Sequence, residues 1–172
     1  MASRTPSRPL EPWRWLGVPA LLAIVATVVI DAPIRIITLA LPEPIFPMVL
    51  AFAWAVIRPS ILGPVLLVLV GVFLDLFMGS PLGLWPISLL IGYGVALIGR
   101  TLMVGQETEV MAIYYGAASL ATFVSAYALV AIAGKGHPNL IALMWQFAAT
   151  LVLFPLVLML RDRFRDADIR FR

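Results

Sequence analysis

The stretch ILGPVLLVLVGVFLDLFMGSPLG, residues 61–83, decides how the chain is to be read. An apolar run from Ile61 to Met78 carries a single charge, Asp75, and ends in Gly79-Ser80-Pro81-Leu82-Gly83, a turn signature. About 20 apolar residues cross the hydrocarbon core of a bilayer as a helix. Pro64 sits in the first turn of the run, where a missing N–H costs nothing. The stretch therefore predicts a membrane helix, a tight turn and the start of the next helix.

The rest of the chain agrees. It has 172 residues, 62% hydrophobic and 12% charged, with a mean hydropathy of +1.03. A soluble domain is about half apolar and a quarter charged. That excludes an ordinary soluble enzyme, and a disordered chain would need the opposite balance. There is no Cys, so no disulfide framework, thiol chemistry or thiolate metal site. The net charge is +3. In a soluble protein that would suggest nucleic acid. Here the arginines edge apolar runs, so they set orientation and meet anionic lipid headgroups, and no nucleic acid partner is expected.

Six spans are expected in one all-α membrane domain, residues 15–160. They run at about 15–30, 45–57, 61–78, 84–104, 110–133 and 140–160. Residues 1–14 read as a flexible cytoplasmic tail and 161–172 as a basic cytoplasmic tail. A basic start before an apolar run also fits a signal peptide, but no small-x-small cleavage site follows Ile30, so the first run reads as a retained span. Residues 31–47 contain Pro33, Pro42, Pro44 and Pro47, against a continuous helix. The second span is short, and either extends backwards or sits in thinned bilayer.

Six spans put both termini on one side. With the termini cytoplasmic, the inner cations are Arg4, Arg8, Arg14, Arg58, Arg100, Arg161, Arg163, Arg165, Arg170 and Arg172, and the outer ones are Arg35 and Lys135. Ten against two is the bias of a membrane protein with cytoplasmic ends. The halves show no repeat that would suggest an inverted-repeat transporter.

Little in the chain suits catalysis, which needs reactive groups converging in one place. The one His, His137, precedes Pro138 in an outer loop and reads as a turn residue. Lys135 lies between two glycines with no Ser partner in view. No metal-ligand spacing or phosphate loop occurs. An enzyme is not expected, nor a metal or cofactor.

Asp75 needs a reason, because a charge at mid-depth costs roughly 2.5 kcal/mol or more. Three readings compete. Its carboxylate accepts backbone N–H groups of the turn or of the fourth helix's first turn, the preferred reading. It pairs with an outer cation, Arg35. Or it relays protons or ions, which usually needs a second intramembrane acid or His.

Small residues form two stripes, Gly92, Ala96 and Gly99 in the fourth span and Ala117, Ala121, Ser125 and Ala128 in the fifth. Small stripes mark close helix contacts in lipid. They serve either the bundle's own packing or a groove for another protein's transmembrane helix.

The central block, Arg58-Pro59, Gly63, then Gly71-x-x-x-Asp75-x-x-x-Gly79-Ser80-Pro81-Leu82-Gly83, resembles the bacterial rod shape-determining MreD family. That family shows a Gly, an Asp-Leu pair, here Asp75-Leu76, and a Gly-[Ser/Thr]-x-Leu-Gly turn. Pro47 and Trp54 before the Arg58-Pro59 exit are also similar. The motif covers about Pro47 to Tyr93, and the last two spans match in hydropathy alone. The resemblance implies a non-enzymatic inner-membrane scaffold that works with MreC, a single-span protein. The wider assembly would include MreB, RodZ, the glycosyltransferase RodA and its class B penicillin-binding transpeptidase. It would support side-wall peptidoglycan synthesis.

The same resemblance extends in fold to the membrane substrate-binding subunits of energy-coupling-factor vitamin transporters, the rival reading. That rival expects an outward pocket, for which the outer half offers Asp31, Arg35, Glu43, Asp75, Trp85 and His137.

Overall fold

The computed structural model describes residues 16–34, 44–57, 59–103, 108–133 and 139–169, without the side chains of 30–34 and 163–169. Every element among them is a helix: α1 (Val18–Ile34), α2 (Phe46–Ile57), α3 (Leu62–Met78), α4 (Leu84–Met103), α5 (Thr108–Ile132), α6 (Leu140–Val152) and α7 (Phe154–Ile169). Three stretches are long and apolar enough to cross a membrane: α4, α5, and Leu140–Asp162 across the α6–α7 joint. The apolar helices Val18–Val29, α2 and α3 are shorter.

Two boundaries depart from the sequence expectation. α1 continues through Asp31 and Pro33 to Ile34. A proline this close to a helix end removes one backbone bond and leaves the earlier turns intact. The last apolar run is broken at Leu153, and its second half, α7, extends to Ile169 through the segment expected to be a tail. Pro155 causes the break, because it has no N–H for the carbonyl of Leu151 and its ring crowds that carbonyl. The chain tightens there, with Leu153 N donating to Thr150 O at 3.1 Å and Leu156 N to Leu153 O at 2.9 Å.

α4 is the central element and packs on α5, α2 and α3. Its approach to α5 depends on glycines. A Cβ on Gly92 would collide with the Thr122 hydroxyl and lie 3.3 Å from Ala118 O, and one on Gly99 would lie 2.8 Å from the Tyr114 ring. Its approach to α3 is closer still, since a Cβ on Gly71 would lie 2.5 Å from the backbone nitrogen of Pro86.

α2 is buried on all sides from Pro47 to Ala55, as expected of a helix apolar all round. Twelve residues make a rod of about 18 Å, well short of a hydrocarbon core of about 30 Å. Its N-terminus lies inside the bundle, with Ile45 1% exposed. Phe52 meets Tyr115 of α5 edge to face at 5.3 Å, and Tyr115 in turn meets Phe154 of α7 at 5.7 Å.

Candidate functional site

The chemistry of the turn between α3 and α4 starts from an accounting problem. A helix N-terminus leaves its first amides without partners, and in an apolar surround each orphan is costly. Asp75, one turn before the end of α3 and 1% exposed, answers half of it. Its Oδ2 accepts from Gly83 N at 2.6 Å and its Oδ1 from Trp85 N at 3.0 Å. Leu84 N donates to Pro81 O at 3.1 Å, Pro86 has no N–H, and Ile87 N donates to Gly83 O at 3.2 Å. Each amide from Gly83 to Ile87 thus has a partner or is absent.

The same residue closes the helix before it. The carbonyl of Asp75 accepts from the amide of Gly79 and from Ser80 N at 2.9 Å, a glycine-terminated helix end. Gly79 has φ 65° and Gly83 φ 94°, a region that L side chains avoid. Asp75 therefore ties the end of α3 to the start of α4 through both its backbone and its side chain. A carboxylate at a helix N-terminus also gains from the helix dipole, and its bonds are charge-assisted.

Among the three readings of Asp75, this geometry is that of the structural one. Both carboxylate oxygens are committed to backbone amides. Arg35, the expected ion partner, lies outside the described residues. Among the described residues no group of three His, Asp or Glu side chains comes together.

The remaining motif residues scatter around this knot. Gly71 lies under Pro86. Pro81 supplies its carbonyl to Leu84, while Leu82 is 74% exposed. Trp85, which gives its amide to Asp75, sets its ring edge-on to Phe123 at 6.2 Å. Pro59 lies at the other end of α3, just before Ser60, whose Oγ accepts from Gly63 N at 3.3 Å. Arg58, Glu43, Lys135 and His137 lie outside the described residues, as does the side chain of Asp31.

The two small-residue stripes part company. Gly92, Ala96 and Gly99 are buried in the bundle. Ala117 and Ala128 are exposed, and Ala121 and Ser125 half-buried. α5 meets α4 instead through Ala118 and Thr122, one position round the helix. The Ser125 hydroxyl turns back to Thr122 O at 2.8 Å.

A second polar junction escaped the sequence reading. Ile45 N, at the buried start of α2, donates to Thr150 Oγ1 at 3.1 Å, and that hydroxyl donates to Gln146 O at 2.8 Å. Tyr115 Oη donates to Thr150 O at 2.9 Å, beside the break at Leu153. At the far end of α2, Arg100 Nε donates to Val56 O at 3.1 Å, which covers one of the orphan carbonyls there. Only a Thr and a Tyr inside apolar runs hinted at the first of these contacts.

Comparison with protein-family models, with curated proteins and with solved structures finds no match to this chain.

Proposed function

We propose that this chain is a non-enzymatic scaffold of bacterial inner membranes, of the MreD kind. In this reading it has six spans and both termini in the cytoplasm, and it holds the transmembrane helix of MreC beside the peptidoglycan-elongating synthases. The observation that carries the proposal is the hairpin at Asp75. Four of the residues that make the resemblance, Gly71, Asp75, Gly79 and Gly83, serve one junction between two helices. A motif spent on rigidity suits a protein that presents a surface. The arginine bias supports the orientation. The topology treats α1, α2 and α3 as spans although they are short, with α2 set in from one face.

The outward stripe of α5, Ala117, Ala121, Ser125 and Ala128, is the face this reading assigns to the partner helix, because small residues let a second backbone approach. Gly92, Ala96 and Gly99 are already used within the bundle.

The test is purification of the C-terminally tagged chain in mild detergent, with its companions identified by mass spectrometry. Recovery of a single-span periplasmic protein together with a transpeptidase–glycosyltransferase pair supports the scaffold. Recovery of a pair of ATPases with a large coupling membrane protein replaces it with the vitamin-transporter reading.

A further inference from the structure

Thr150 is the one buried residue of α6. Phe147 turns toward α5 and meets Phe123 edge to face at 5.7 Å. The rest of the helix is half-buried or exposed, and its surface is apolar with one exception, Gln146. Gln146 lies about 9 Å along the span from Leu140, inside the depth of a hydrocarbon core. Among the described residues its side-chain amide makes no hydrogen bond, and its contact with the Thr150 hydroxyl at 2.8 Å uses the backbone carbonyl. The amide is not among the sealed polar groups that lack a partner, which are Trp85 Nε1, Ser88 Oγ and Ser119 Oγ. It therefore reaches the bundle's surface, where lipid tails offer nothing to bond.

The neighbours of Gln146 on the helix surface are small. Ala142, one turn before it, is exposed, and Ala149, one turn after it, is half-buried. Small residues on either side of a polar one let a second backbone come within hydrogen-bonding reach. At 3.6 residues per turn, Ala142 and Ala149 lie round the helix from Phe147, away from the contact with α5.

We infer that this edge of α6 is the contact between two copies of the chain, related by a two-fold axis along the membrane normal, with Gln146 bonded to Gln146 of the partner subunit. A primary amide carries both donors and an acceptor, so two of them make a reciprocal pair of bonds. A two-fold interface sets a residue beside its own copy. A copy inserted in the same sense holds its amide at the same depth, whereas a different membrane helix would need a polar residue of its own there. The surface is separate from the partner face assigned to α5. It rests on the membrane reading of the chain and not on the MreD one.

The chain has no Cys, so single introduced cysteines report the contact cleanly. The experiment is oxidative crosslinking of the full chain carrying Ala142→Cys or Ala149→Cys in phosphatidylcholine vesicles, over a series of protein-to-lipid ratios. Ile141→Cys, at an exposed position on another face of α6, is the control. The expected result is a disulfide-linked dimer from both alanine positions and little from Ile141→Cys. Gln146→Leu raises the protein-to-lipid ratio needed for half crosslinking about tenfold, the weight of two interhelical hydrogen bonds. Gln146→Asn, which keeps the amide, restores most of the dimer. Absence of dimer from both alanine positions overturns the inference, as does equal dimer from Ile141→Cys, which marks random collision. A Gln146→Leu variant that crosslinks undiminished overturns it too, and a lowered melt of that variant would then assign the amide to the chain's own bundle. Should Gln146→Leu not fold, Gln146→Ala takes its place in the same comparison.

Discussion

Two of the described helices start with amides that are buried or partly buried, and they solve the problem differently. α4 starts at a turn and is met by a carboxylate, Asp75, with two bonds to backbone N–H groups. α2 starts inside the bundle and is met by a neutral hydroxyl, Thr150, with one. The difference follows from position. At the turn, two backbone amides lie within reach of one side chain, and each carboxylate oxygen accepts one of them. Inside the bundle a charge would have to be desolvated for a single amide, which is unfavourable. The Thr150 hydroxyl also returns its own proton to Gln146 O, so nothing is left unpaired.

The comparison breaks most visibly at Asp75. Asp75→Leu leaves one buried and one part-buried amide without acceptors, at up to about 1–3 kcal/mol each. The expected outcome is a large loss of protein level and of thermal stability in detergent. Asp75→Asn keeps one acceptor oxygen and much of the fold, and falls between wild type and Leu. If Asn and Leu are equally harmful to function while level and stability stay normal, the charge has a role beyond the hairpin.

Next comes Gly71→Ala, which pushes a methyl group into the Pro86 backbone. Overpacking of this kind costs about 1–3 kcal/mol, and a thermal melt should show it. The same substitution at Gly94, where a Cβ meets nothing within 4 Å, should be neutral or slightly stabilising.

Thr150→Val tests the neutral junction. It orphans one amide, so its cost should be about half that of Asp75→Leu, near 1–3 kcal/mol, measured in the same melts. Thr150→Ser keeps the hydroxyl and should restore most of the loss. A Val variant as damaging as Asp75→Leu would make the α2 junction, and not the hairpin, the principal tie of the fold.

The smallest effect on stability is expected at the outward stripe. Ala117→Leu and Ala128→Leu lie at exposed positions and should shift the melt by less than about 0.5 kcal/mol. Under the proposed scaffold reading they should nevertheless reduce co-purification of a single-span partner. Unchanged recovery would move the partner face away from α5.

The hairpin was legible because its chemistry is unusual for its setting. One acid in an apolar run, followed by glycines at the next turns, has few explanations. The start of α2 was not legible. Its amide is satisfied by a Thr 105 residues away, and a Thr in an apolar helix is ordinary. The break at Leu153 had a visible cause, Pro155, yet a run of apolar residues on both sides read as one span. The α5 stripe shows another limit. Four-residue spacing identified a small face, but Ala118 and Thr122 form the contact with α4, and a rotation of one position is invisible to spacing alone.

The sequence by itself determined the helical class, the approximate extents of most helices, and the place of the α3–α4 turn, because hydropathy, proline and glycine act locally. Only the tertiary structure decided which face of each helix is inner, that α2 is the enclosed helix, and which hydroxyls and carbonyls close the bundle. The physical reason is that a mostly apolar helix carries almost no amphipathic signal. Its inward face is chosen by close fit against neighbours such as Gly71 against Pro86 and Gly92 against Thr122, and fit is a property of pairs of surfaces that one strand of sequence does not contain.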